Sequence, residues 1–281
     1  MHGAPVSDFR IMGVVNVTPD SFSDGGRYLD ASAAIAHGLE LELEGASILD
    51  IGGESTRPGA DPVDEQEELR RVLPVIEGLV AAGTRAQISI DTSKSAVAQR
   101  ALDAGATYVN DVTAFRADPR IADVVARAGV DCCVMHMLGD PRTMQDDPRY
   151  EDVVTDIRTF LEERLEFAVS RGIARERVML DPGIGFGKTV VHNLELLRRL
   201  GELVAIGQPL VIGTSRKSFL GKITGRDSDH RVPATIATNV LAYERGARIF
   251  RVHDVAPVHD ALSVTAATVT AQWPTPTSST R

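Results

Sequence analysis

Gly45-Ala-Ser-Ile-Leu-Asp50 carries the unit whose repetition decides the fold: a helical stretch closes on glycine, a short apolar run follows, and the run ends on a polar residue that opens a loop. Glycine suits the left-handed position that closes a helix, and an unbroken apolar run suits a strand buried on both faces. The unit recurs from Gly83 to Asp91, Gly105 to Asn110, Gly129 to His136, Gly172 to Asp181 and Gly246 to His253. Gly207 leads likewise through Pro209-Leu-Val-Ile212 to Gly213, and the first run, Phe9 to Val15, ends at Asn16, which makes eight copies. Between the runs lie helical patterns such as Val153, Ile157, Leu161 and Leu165, an apolar stripe that stops before Gly172. Eight alternating strand and helix units predict an α/β protein with the (β/α)8 TIM barrel fold, a doubly wound parallel sheet being the structural alternative. No Pro, Gly or Ser-rich linker divides residues 1–272, which read as one domain, whereas residues 273–281 lack apolar periodicity and are expected to be disordered.

The composition excludes several functions. At 281 residues, 43% hydrophobic and 25% charged, the chain can bury a large core. A net charge of −9 supplies no basic field for a nucleic acid, so any anion site must be local. No apolar stretch approaches the length of a bilayer span, and Met1 to Arg10 lacks the order of a secretion signal, so a cytoplasmic location is expected. The two cysteines, Cys132 and Cys133, are adjacent on a predicted strand, point to opposite faces and read as packing residues. Only four lysines occur, Lys94, Lys188, Lys217 and Lys222, and each merits a positional check.

Polar residues at the C-terminal ends of barrel strands face the mouth where active sites form. Asn16, Asp50, Asp91, Asn110, His136, Asp181, Ser215 and His253 all fall there, although strand ends also need polar turn residues for purely structural reasons. The loops 16–26 and 52–59 are long, rich in backbone and hydroxyl donors, and carry Phe22 and Pro58 as apolar flanks for an aromatic ligand. Asp181-Pro-Gly-Ile-Gly-Phe-Gly-Lys188 imitates a nucleotide-binding loop, but Pro182 stands where that motif requires glycine, so an ATP site is rejected. Gly213-Thr-Ser-Arg-Lys-Ser218 reads as a helix start directly after the seventh strand, able to hold an anion, with Arg251 and His253 sharing a face of the eighth.

Together these segments resemble the dihydropteroate synthase family over residues 10–265. The most specific signatures are Met12-Gly-Val-Val-Asn-Val-Thr-Pro-Asp-Ser-Phe-Ser-Asp-Gly-Gly26 and Leu49-Asp-Ile-Gly-Gly-Glu-Ser-Thr-Arg-Pro-Gly-Ala60. Ser89-Ile-Asp-Thr92, Val109-Asn-Asp111, Met135-His-Met137, Leu180 to Lys188, Ser215-Arg-Lys-Ser218 and Arg251-Val-His-Asp254 also match, with no departure at any position. The resemblance implies a barrel that binds 7,8-dihydropterin-6-ylmethyl diphosphate, p-aminobenzoate and Mg²⁺, releases dihydropteroate and pyrophosphate, and works as a homodimer. It places the pterin against Asp91, Asn110, Asp181, Lys217 and Arg251, and the diphosphate against Asn16, Thr56, Arg57, Arg251 and His253. Asn16 falls at the metal, while Phe22, Thr56, Pro58, Phe186 and Ser218 fall at p-aminobenzoate. Asp91, Lys217, Arg251 and His253 would carry the chemistry. Two other readings belong to the same barrel: a corrinoid-linked pterin methyltransferase, whose substrate lacks the diphosphate, and a catalytically silent pterin binder.

Overall fold

The computed structural model describes residues 8–17, 27–55, 60–140 and 142–271, with the backbone alone over 27–30. Eight parallel strands run in chain order: β1 (Arg10–Asn16), β2 (Ile48–Gly52), β3 (Gln87–Asp91), β4 (Tyr108–Asp111), β5 (Asp131–Met135), β6 (Val178–Asp181), β7 (Val211–Ile212) and β8 (Ile249–Val252). Each strand pairs with its sequence neighbours except β6 with β7, and β1 also pairs with β8. The last gap, between β6 and β7, is bridged by Leu180 N donating to Pro209 O at 3.0 Å, so the sheet curls into a nearly closed barrel. Helices occupy every connection, which is the right-handed crossover that parallel neighbours require. The doubly wound alternative is thereby excluded, because its sheet keeps two open edges.

The expected helix-closing glycines, 45, 83, 105, 129, 172, 207 and 246, all adopt positive φ. Gly45 shows the requirement most clearly: at φ 111° a Cβ would also stand 2.6 Å from the His259 ring. The stripe Val153, Ile157, Leu161 and Leu165 is buried on the helix Val153–Ser170. One predicted strand is shorter than its apolar run. Of Pro209 to Ile212 only Val211 and Ile212 form a ladder, since Pro209 has no N–H to donate and contributes only its carbonyl.

Two apolar layers result. The larger lies between strands and helices and holds, among others, Leu49, Ile90, Cys132, Leu180 and Phe250. The smaller fills the barrel interior with Met12, Ile48, Tyr108, Cys133, Met179, Val211 and Ile249. Cys132 and Cys133 thus take opposite faces, as adjacent strand residues must, and both are free and buried. Two residues further along the same strands, on the same inward face, come Asp50 after Ile48, Asn110 after Tyr108, Asp181 after Met179 and Arg251 after Ile249. An apolar floor therefore carries a polar layer directly above it, at the C-terminal mouth.

Candidate active site

The polar layer is organised around Asp50, whose side chain is wholly buried. Its carboxylate accepts from Ser89 Oγ at 2.6 Å, from Asn110 Nδ2 at 3.0 Å and from Arg251 Nε at 2.7 Å. Arg251 reaches on to Asp91 Oδ2 through Nη2 at 2.9 Å, so one guanidinium joins β2, β3 and β8 across the mouth. Burial, then the neighbouring Asp50 carboxylate, pushes Asp91 up to about 8 against the opposing pull of Arg251. At that value Asp91 is largely protonated near neutrality, so Asp50, Asp91 and Arg251 together carry little net charge until Asp91 ionises.

On the opposite wall, Asp181 closes β6 and accepts from Gly183 N at 2.6 Å. Burial pushes it up to about 6, although that N–H and then Lys217 favour the anion. The Lys217 ammonium stands 3.8 Å from the centroid of the Phe186 ring, a cation over an aromatic face. Phe186 itself packs on Met135, Met137, Met144 and Val112. His253 is fixed by Ser215, whose Oγ meets its backbone N at 3.2 Å and its Nδ1 at 3.0 Å. Burial, with Arg251 and Arg216 nearby, pushes the imidazole down to about 3, so it is a neutral group at physiological pH.

Asn16 ends β1 half-buried. Above Gly52, a Cβ would lie 3.8 Å from Asp91 Oδ2 and 3.9 Å from Asn16 Oδ1, so these two oxygens flank the same small space. Beside Asp91 opens a cavity of about 430 Å³, bordered by Glu68, Thr92, Val112, Arg116 and Met137. Lys94 spans Glu54 and Glu68 at its rim, at 2.5 Å from the latter, and so serves an acidic cluster rather than standing free.

Of the residues named from sequence, Asn16, Asp91, Asn110, Asp181, Phe186, Lys217, Arg251 and His253 all fall on strand ends or loops at this one face. Thr56, Arg57, Pro58 and Phe22 lie outside the described residues, as do residues 273–281. Ser218 is exposed at the first position of the helix Ser218–Thr224. That helix corrects one expectation. It does not begin directly after β7: Arg216 sits at φ 57° and Lys217 is extended, so the stretch 213–217 is a loop, and the Arg216 N–H is already taken by Thr235 Oγ1 at 3.2 Å. The helix start read over Gly213 to Ser218 therefore lies at Ser218 alone, and residues 213–217 bring no helix dipole to an anion. Arg251 also differs from a solvated rim cation: its side chain is 23% exposed and bound by two carboxylates.

The residues that sequence reasoning left without a role are Asp50, Ser89 and Ser215. Asp50 and Ser215 stood among the polar strand ends, but only barrel closure reveals what they hold.

Replacing Asp50 by Asn should destabilise the fold by about 3 to 5 kcal/mol, because it strips a buried guanidinium of its best partner. Urea denaturation measures this, and a loss below about 1 kcal/mol, the range of a surface ion pair, would refute the central place given to Asp50.

Comparisons with known proteins agree with this geometry. The model of the family described as "Pterin binding enzyme" matches residues 12–253. A dihydropteroate synthase of Haemophilus influenzae is 44% identical over 262 residues, covering 93% of this chain and 94% of that protein. Among solved structures, the dihydropteroate synthase of Xanthomonas albilineans with 4-aminobenzoic acid superposes with a TM-score of 0.87 at 50% identity, covering 92% of this chain and 93% of that one. The same enzyme in complex with 7,8-dihydropteroate gives 0.84 at 47%, with the same coverage. With the family model matching residues 12–253 and these relatives covering more than nine-tenths of the sequence, the chain belongs to the dihydropteroate synthase family of pterin-binding enzymes.

Proposed function

We propose that the chain condenses 7,8-dihydropterin-6-ylmethyl diphosphate with p-aminobenzoate, giving 7,8-dihydropteroate and pyrophosphate. The observation that carries the reading is the buried polar layer, where Asp181 and Asn110, with only β5 between their strands, face the mouth above an apolar floor. A flat heterocycle with a polar edge needs both kinds of surface. Its amino and ring N–H groups offer two parallel donors, and a buried carboxylate such as Asp181 accepts both.

The reaction breaks the bond between the pterin methylene carbon and the diphosphate oxygen, and forms a bond from that carbon to the arylamine nitrogen, which then loses a proton. Positive charge develops on the pterin as the diphosphate leaves. The carboxyl oxygens of Asp50 and Asp91, held in place by Arg251, stand where they would stabilise that charge. Neutral His253 and the Nη1 group of Arg251, which meets no carboxylate among the described residues, are donors for departing pyrophosphate. The metal-binding chemistry on this face is sparse: among the described residues no three His, Cys, Asp or Glu side chains group to hold an ion. One amide oxygen, Asn16 Oδ1, supplemented by diphosphate oxygens and water, fits Mg²⁺, which demands no all-protein cage. Held there, the ion would supply neutralising charge to the diphosphate.

The functional reading is tested by incubating purified protein with both substrates and Mg²⁺ and measuring dihydropteroate and pyrophosphate in equal amounts. A pterin-binding protein that makes neither would be a silent binder.

A homodimer is part of the proposal. Val191 and Leu194, Ile223, and Leu241 are large exposed apolar residues on three mutually packed helices, Val190–Arg198, Ser218–Thr224 and Val232–Glu244. A second copy is the partner that would cover such a face. Ile223→Glu should give a monomer in sedimentation velocity, and an unchanged dimer would place the interface elsewhere.

Pterin affinity should carry the titration of Asp181. Its raised value, about 6, means that below this pH the carboxyl is protonated and can no longer accept two donors. Affinity for a pterin lacking diphosphate should thus be full above pH 6 and fall by up to about tenfold per unit below it. Asp181→Asn should weaken binding by about 2 to 4 kcal/mol and abolish the break near 6, leaving only the shallower dependence due to Asp91. Calorimetric titration from pH 5 to 8 measures both, and an identical profile in the variant would remove Asp181 from the pterin pocket.

A further inference from the structure

Lys188 is 3% exposed, yet its ammonium meets no carboxylate among the described residues. Burial pushes the amine well below the ordinary lysine value, since a charge held there is costly unless each N–H finds an acceptor. Here the amine nitrogen faces three polar atoms: His136 Nδ1 at 2.9 Å, Phe186 O at 2.9 Å and, more loosely, His136 O at 3.5 Å. Burial and the adjacent ammonium push His136 down to about 2, so its ring is neutral and Nδ1 can accept. The same ring is wedged edge-on against Phe160, with centroids 4.8 Å apart, which fixes its orientation.

The ammonium anchors the β6 loop against the segment that follows β5. At Gly183, φ 65°, the chain comes so close that a Cβ would lie 1.9 Å from His136 O. Between Gly183 and Lys188 rides Phe186. Its carbonyl is bound by Lys188 from below while its ring carries Lys217 above, so a single aromatic residue is set by two lysines. None of this helps to bind the pterin carboxylate partner Asp181, which takes its own N–H from Gly183.

We propose that Lys188, held by His136, is a positioning residue: it fixes the Phe186 ring as a wall of the arylamine site and so sets affinity for p-aminobenzoate without touching either substrate. The inference rests on the functional reading above and names the residue that tunes its second substrate. Lys188 acts through a backbone carbonyl, so its loss changes where the ring stands and leaves the reacting groups in place.

The test is steady-state kinetics with both substrates on Lys188→Met, His136→Leu and His136→Asn, the last of which keeps an acceptor near the position of Nδ1. Lys188→Met and His136→Leu should raise KM for p-aminobenzoate about tenfold, the scale of one lost hydrogen bond, with KM for the pterin diphosphate and kcat changed by less than about twofold. His136→Asn should restore KM for p-aminobenzoate to within about threefold of wild type. Folded variants in which both KM values are unchanged, or rise together, overturn the proposal, as does an Asn variant no better than the Leu variant. Should Lys188→Met fail to fold, the two His136 variants decide, and misfolding of all three would mark the cluster as structural and also overturn it. Wild-type protein that makes no dihydropteroate overturns the functional reading itself, whereas active wild type without the split overturns this inference alone.

Discussion

The guanidinium of Arg251, shared between Asp50 and Asp91, is the interaction on which the mouth of the barrel depends. A buried ion pair contributes little net stability, because desolvating the charges offsets most of their attraction. Its value lies in geometry. The Asp50 carboxylate fills its lone pairs with Ser89, Asn110 and Arg251, so residues from β2, β3, β4 and β8 hold one fixed arrangement. Three of the proposed substrate contacts, Asp91, Asn110 and Arg251, are therefore oriented before any substrate arrives. Preorganised groups of this kind need no rearrangement as charge develops, which is the condition under which electrostatic stabilisation is strongest.

The fold was legible because its signal is redundant. Eight apolar runs, seven of them preceded by a helix-closing glycine, reinforce one another, and the shortened β7 does not disturb the count. The strand-end residues were legible for the same reason, since the two-residue period puts them on the inward face once the barrel is accepted. Asp50 could be located but not given a role: its partner Arg251 is 201 positions away and adjoins it only through barrel closure. The helix start at Ser218 was misread for another reason. Glycine advertises a left-handed turn in sequence, whereas Arg216 adopts one without any such mark. Lys188 likewise meets His136 across 52 positions, a contact that no local pattern encodes.

The apolar floor and the polar layer also constrain each other. Met12, Tyr108, Cys133 and Met179 keep water out from below, so the carboxylates above them are desolvated on that side. Desolvation raises their proton affinity, and it also strengthens every charge interaction they make. A more hydrated mouth would leave Asp91 and Asp181 as ordinary carboxylates, weaker both as acceptors for a pterin edge and as partners for a developing cation.

That arrangement has a thermodynamic consequence for folding. Asp91 and Asp181 bind protons more tightly in the folded chain than in the unfolded one, with values near 8 and 6. By linkage, their contribution to stability is fully present at acid pH and is lost as pH rises, through about 6 for Asp181 and about 8 for Asp91. Near neutrality Asp181 is thus ionised while Asp91 is largely protonated, and the Asp181 carboxylate is charged at a cost to folding. A ligand that brings N–H donors to Asp181 supplies what the protein leaves out, and binding recovers the stability given up in shaping the site.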